Sequence, residues 1–143
     1  MLFQYRKFPS AATHIRLVEV QAAANNEHQG ITIKLHTVPF EDAPCYQAVS
    51  YTWGDNLVSK WIWIANDHGP PKMMNIGINC CLALDQIKRF GTTQYFWIDA
   101  ICINQQDLDE KSHQVAMMGK IFERANSVFA SVGEHAQDTE YLV

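Results

Sequence analysis

Ile31, Ile33 and Leu35 alternate with Thr32, Lys34 and His36, the period of a strand with one buried face. Residues 15–20 form a similar run. The two predict an antiparallel strand pair over 14–38, joined by a loose polar loop that ends in Gly30. His36, on the polar face, reads as a solvated residue. Three other runs, 46–51, 95–100 and 127–132, are apolar without alternation, which suits strands buried on both faces. Between them apolar residues recur at helical spacing. Cys80, Ala83, Leu84, Ile87 and Phe90 share one face of a helix over 80–90, with Asn79 as its cap and Gly91 as its stop. Val115, Met118, Phe122 and Ala125 do the same over 108–124, and Asn126 ends that helix. Asp107, with Glu110 three residues on, signals its start.

The remaining stretches fit around this frame. Trp61, Ile62, Trp63 and Ile64, the turn from Asn66 to Pro71, and residues 72–76 predict an inserted β-hairpin. His68 lies in the turn and is not expected to be a ligand. Residues 1–13 have no period and predict a partly ordered leader or a small edge element. Residues 136–143 read as the start of a further, truncated helix.

Strands alternating with helices predict an α/β domain: a mostly parallel sheet flanked by helices, built from two βαβ crossovers. One domain spans 1–143, with the strand pair at 14–38 and the α/β core at 46–135. In such sheets ligands bind outside the carboxyl ends of the strands. The segments expected to converge there are 50–56, 99–110 and 133–135. Ser50, Tyr51, Trp53, Gly54 and Asp55 supply a hydroxyl, two aromatics, a glycine and an acid. Taken alone, Trp53 also reads as a core or rim anchor, and residues 54–56 as a plain turn. Asp99, Asn104 and Gln105 follow the second strand. Each of the three reads equally as a ligand contact or as a side chain that stabilises the loop.

Composition narrows the function classes. A net charge of −4 with no Lys/Arg cluster argues against nucleic-acid binding through the backbone. No apolar run is long enough to cross a bilayer, and the N-terminus lacks the layout of a signal peptide, so the cytosol is the default. Cys45, Cys80, Cys81 and Cys102 have no metal-ligand spacing and read as buried, reduced thiols. No metal site is expected.

Residues 46–55 resemble the opening motif of the HET (heterokaryon incompatibility) domain of filamentous fungi. Residues 97–105, with Asp107 and Glu110, resemble its second motif. Gln114, Val115, Met118, Ile121, Ala125, Val128, Val132, Gly133 and Glu134 follow the rest of the pattern in order, so the resemblance covers about 14–135. One departure is Ser131-Val132-Gly133 where the family usually has Trp-Leu-Gly. The resemblance implies a cell-death trigger that acts when genetically unlike hyphae fuse. It also implies a distant relation to TIR domains, hence a TIR-like (flavodoxin-like) sheet; some TIR domains cleave NAD⁺ and others act as assembly modules.

Two functions follow from that resemblance. As an NAD⁺ glycohydrolase the chain needs a carboxylate at the ribose, because the bond breaks through an oxocarbenium-like state, and an aromatic face for the nicotinamide. NAD⁺ would be the substrate, and no bound cofactor is implied. TIR enzymes place the catalytic Glu on the helix after the third strand, so Glu134 or Glu140 is the positional match. Glu110 lies in the stronger motif, and its alternative role is to close the helix start with Asp107. Tyr51 and Trp53 are the candidates for stacking. As a homotypic assembly module, the same polar edge would orient loops against a second copy. The missing last part of a TIR-like fold favours the module, or implies that the chain is a fragment.

Overall fold

The computed structural model describes residues 1–22, 30–54 and 58–131. A 7-stranded sheet runs in the order β5-β4-β2-β1-β6-β3-β7. Its strands are β1 (His14–Val20), β2 (Thr32–Pro39), β3 (Tyr46–Ser50), β4 (Ser59–Ile64), β5 (Lys72–Gly77), β6 (Tyr95–Trp97) and β7 (Ser127–Ala130). The helices are α1 (Ile78–Phe90), α2 (Asp99–Cys102) and α3 (Leu108–Arg124).

The sheet is mixed rather than mostly parallel. β3 runs parallel to β6 and β7, and β2 parallel to β4. β1 runs against both β2 and β6, and β5 against β4. The N-terminal strand pair is therefore built into the middle of the sheet, where β1 joins the hairpin side to the parallel β6-β3-β7 side. Buried residues on β3 explain its place between two parallel neighbours: Tyr46, Gln47, Ala48 and Val49 are covered on both faces. The Tyr46 hydroxyl donates to the Ile121 carbonyl at 2.6 Å, fixing β3 to α3.

The second expected strand, 95–100, stops at Trp97. Asp99 opens the single turn α2, closed by Cys102 N–H to the Ile98 carbonyl at 2.7 Å. A turn of helix buries Ile98, Ile101, Cys102 and Ile103 together, which a continuing strand would divide between two faces.

Other differences have local causes. α1 begins one residue before Asn79, with Gly77 as its cap, and the Asn79 amide donates instead to the Thr52 carbonyl at 2.9 Å. Phe90 is exposed, while Cys80, Ala83, Leu84 and Ile87 are buried as the spacing predicts. Gly91 does end α1. A Cβ there would come within 2.4 Å of the Phe96 ring and 2.5 Å of the Ile87 carbonyl. On α3 Met118, Phe122 and Ala125 pack against the core as the spacing predicts, but Val115 is exposed and the fully buried positions are Glu110, Gln114 and Ile121. That stripe has helical spacing but polar members, so an apolar pattern cannot reveal it. His36 is not simply solvated: its Nε2 lies 2.9 Å from Glu19 Oε1, and its ring meets Tyr95 edge-on.

The leader is an edge element, as one of its two expected forms. Leu2 bridges to Met73, and Phe3 N–H donates to the Met73 carbonyl at 2.8 Å. The four cysteines are unpaired, but Cys45 is exposed and Cys81 half-buried, against the expectation of buried thiols throughout. Among the described residues no helix is long and apolar enough to cross a membrane, and no His/Cys/Asp/Glu group could hold a metal ion.

Candidate functional site

The chain leaving β3 turns at the carboxyl end of the sheet and meets α1, α2 and the loop before α3. Tyr51 and Trp53 stack with ring centroids 6.3 Å apart and planes 6° from parallel. Gly54 follows at φ 70°, a left-handed conformation, and a Cβ there would stand 2.8 Å from the Asn79 amide nitrogen. Both features hold the loop against the start of α1. The two aromatics, with Asn75, Gly77, Cys80 and Gln105, line a cleft of about 140 Å³. Trp53 remains 41% exposed, so the cleft is not closed off by its own aromatic wall.

Polar contacts set the electrostatics of this cleft. Asp99 does not line it, but the Trp53 side chain favours the charged form of its carboxyl. Burial pushes the Asp99 carboxyl above its ordinary range, opposed by the Ala100 N–H and by the Trp53 side chain. Burial likewise raises the Tyr51 hydroxyl and takes the Cys80 thiol up to about 12, with the nearby Asp99 charge adding to both. Both are neutral at physiological pH, so the cleft is an uncharged aromatic slot with one acid behind it.

Gln105 enters the lining with its Nε2 donating to the Asp99 carbonyl at 3.0 Å. Asn104 is turned into its own loop, where its Oδ1 accepts from Gln106 N–H at 3.1 Å. Ser50 is exposed at the end of β3, and its carbonyl accepts from Ser131 N–H at 2.8 Å.

Glu110 lies elsewhere. It is 3% exposed, and its carboxylate takes both ends of the Arg16 guanidinium at 2.8 Å and the Asn104 N–H at 2.6 Å. Arg16 in turn donates to the Cys102 and Arg6 carbonyls, each at 2.9 Å. Its guanidinium carbon lies 4.7 Å from the centre of the Tyr5 ring and 4.0 Å from that of Phe8. Both oxygens of Glu110 are thus engaged, one with Arg16 alone and the other with Arg16 and the Asn104 N–H of the α2–α3 loop.

Residues 46–143 match the model of a family described as Heterokaryon incompatibility protein (HET). The chain belongs to the HET family. It is also 32% identical, over 140 residues, to heterokaryon incompatibility protein 6, OR allele, of Neurospora crassa. That match takes in 92% of the chain but 20% of the relative, so the chain spans about a fifth of the length of the curated protein it resembles. No solved structure matches this HET domain.

Of the residues read from the sequence of this HET domain, the fold brings Tyr51, Trp53, Asp99 and Gln105 to one place, with Gly54 shaping the loop. Ser50 and Asn104 do not line it. Asp55, Glu134 and Glu140 lie outside the described residues. Sequence reasoning missed Cys80, placed with the apolar face of α1, and Asn75 and Gly77, which the inserted hairpin carries to the cleft. It also missed Arg16. The available signal for Arg16 was a charged residue between Ile15 and Leu17 on a strand otherwise apolar through Val18.

Proposed function

We propose that this HET domain is a cell-death effector of fungal heterokaryon incompatibility, acting in the cytosol, and that its Tyr51–Trp53 cleft receives the flat ring of a nucleotide. The observation that carries this reading is the half-open aromatic stack beside a partly buried acid at the carboxyl edge of the sheet. Small-molecule pockets are commonly about 300–1,000 Å³. At about 140 Å³ the cleft suits one ring, with the rest of a ligand lying across the surface.

NAD⁺ is the substrate suggested by the TIR-like resemblance. Its nicotinamide would rest on Trp53. In hydrolysis the C–N bond to ribose breaks, the bonding pair leaves with nicotinamide, water adds to C1′, and one proton is released. A carboxylate near the ribose would offset the positive charge that develops there. Asp99 is the nearest acid among the described residues, and Glu134 and Glu140 are the alternatives. Glu110 is a weaker candidate because its oxygens are occupied.

The second reading is a homotypic assembly module. It is favoured by the lack of a lining carboxylate among the described residues and by the exposure of Trp53, Val58 and Trp61, residues of the β3–β4 loop and β4. NAD⁺ turnover by the purified chain at high concentration separates the two. The enzyme reading expects turnover that falls at least about 100-fold in Trp53→Ala and in one of Asp99→Asn, Glu134→Gln or Glu140→Gln. Undiminished turnover in all four variants removes the site. No turnover, with concentration-dependent self-association lost in Trp53→Ala, establishes the module instead.

A further inference from the structure

A second and larger cleft, of about 270 Å³, opens between the N-terminal segment, β2 and the β4–β5 turn. Among the described residues its walls carry Arg6, Lys34, His68 and Lys72 against a single carboxylate, Asp67. Lys34 Nζ stands 3.1 Å from Asp67 Oδ1, and this pairing holds the Asp67 carboxyl below its usual range. Arg16 also reaches the wall, but Glu110 answers its charge. Among the described residues, Arg6 and Lys72 have no carboxylate partner within ion-pair distance.

The chain as a whole is acidic, with 15 Asp and Glu against 11 Lys and Arg. Cations gathered on one concave wall run against that balance. In a concave site with apolar residues in its lining, here Leu35 and Ile64, such charges concentrate an anion more strongly than the same charges on a flat surface. The volume lies just below the usual small-molecule range of about 300–1,000 Å³, room for a phosphate group and a small organic remainder.

We infer that this cleft binds a small phosphate-bearing molecule, with Arg6 and Lys72 on the phosphate oxygens and Asp67 opposing entry. Arginine offers a planar pair of donors to phosphate and lysine a point charge, a combination suited to a terminal phosphoryl group. The site shares no lining residue with the Tyr51–Trp53 cleft and stands apart from the NAD⁺ reading.

The test is calorimetric titration of the full 143-residue chain with inorganic pyrophosphate and, separately, with glycerol phosphate, a phosphate ester with no aromatic ring, at constant ionic strength. Saturable binding at one site is expected for at least one of the two. Arg6→Gln with Lys72→Gln should weaken it at least tenfold, Asp67→Asn should tighten it severalfold, and Trp53→Ala should leave it unchanged. The gain in Asp67→Asn cannot come from misfolding. Absence of saturable binding for both probes overturns the site. So does binding that ignores the Arg6, Lys72 and Asp67 changes, or that disappears in Trp53→Ala.

Discussion

Two acids on successive helices of this domain meet opposite fates. Glu110, in the first turn of α3, is sealed between Arg16 and the Asn104 amide, with the rings of Tyr5 and Phe8 against the arginine. Asp99, the first residue of α2, is only partly covered and is raised above its ordinary range by burial. One acid has its surroundings built around its charge. The other sits where its charge is poorly compensated, beside an open aromatic ring. Structural ion pairs and functional acids often separate in this way, because a group with spare coordination and a perturbed pKa is available to a ligand.

The largest effect expected from breaking this contrast is in Glu110→Ala. It leaves Arg16, 3% exposed, as an unpaired buried charge and orphans the Asn104 N–H. Urea unfolding should show a loss of about 3–5 kcal/mol. Arg16→Ala should cost a similar amount, and the double variant should cost clearly less than the two losses together, since they remove one interaction. Simple additivity would mean that the pair is not coupled.

A smaller effect is expected at the cap that aims Glu110. Asp107 Oδ1 accepts from Glu110 N–H at 3.2 Å, and Asp107→Ala should cost about 1 kcal/mol in the same measurement.

Asp99→Asn should give the smallest change, and with the opposite sign. A carboxyl whose folded pKa is raised binds its proton more readily when folded. The folded state therefore gains from Asp99 at low pH and loses that gain as pH rises through the raised value. At neutral pH Asp99→Asn should unfold at the same urea concentration as the parent or slightly higher. The parent's stability should decline with pH through the upper carboxylate range relative to the variant. A stability loss in Asp99→Asn comparable to that of Glu110→Ala would abolish the distinction between the two acids.

The sequence foretold one half of this contrast better than the other. Trp53 and Asp99 stood at the ends of apolar runs, and the rule that ligands gather beyond strand ends brought them together before any coordinates. Asp107 was legible as the cap of α3, because local hydrogen bonding decides it. Glu110 was legible only in part. Its spacing from Asp107 suggests a capping box, but its side chain reaches past the cap to Asn104 N–H and across the fold to Arg16, 94 residues away in sequence. Long-range pairing leaves no mark in local periodicity. The same holds for β1, whose central place depends on partners on both sides, and for Gln114, whose Nε2 donates to the Ala11 and His14 carbonyls. Polar residues that fold into a core through distant partners look, in sequence, like solvated surface.

The side-chain indole N–H resonances give the most direct test of the aromatic slot. NAD⁺ titrated into the isotopically labelled chain should shift the Trp53 indole N–H saturably, together with the Gln105 side-chain amide, while Trp97, buried in the core, stays put. Trp53→Phe identifies the resonance. Saturable shifts confined to other tryptophans, or no shift at millimolar NAD⁺, would contradict the assignment of this cleft as the nucleotide site.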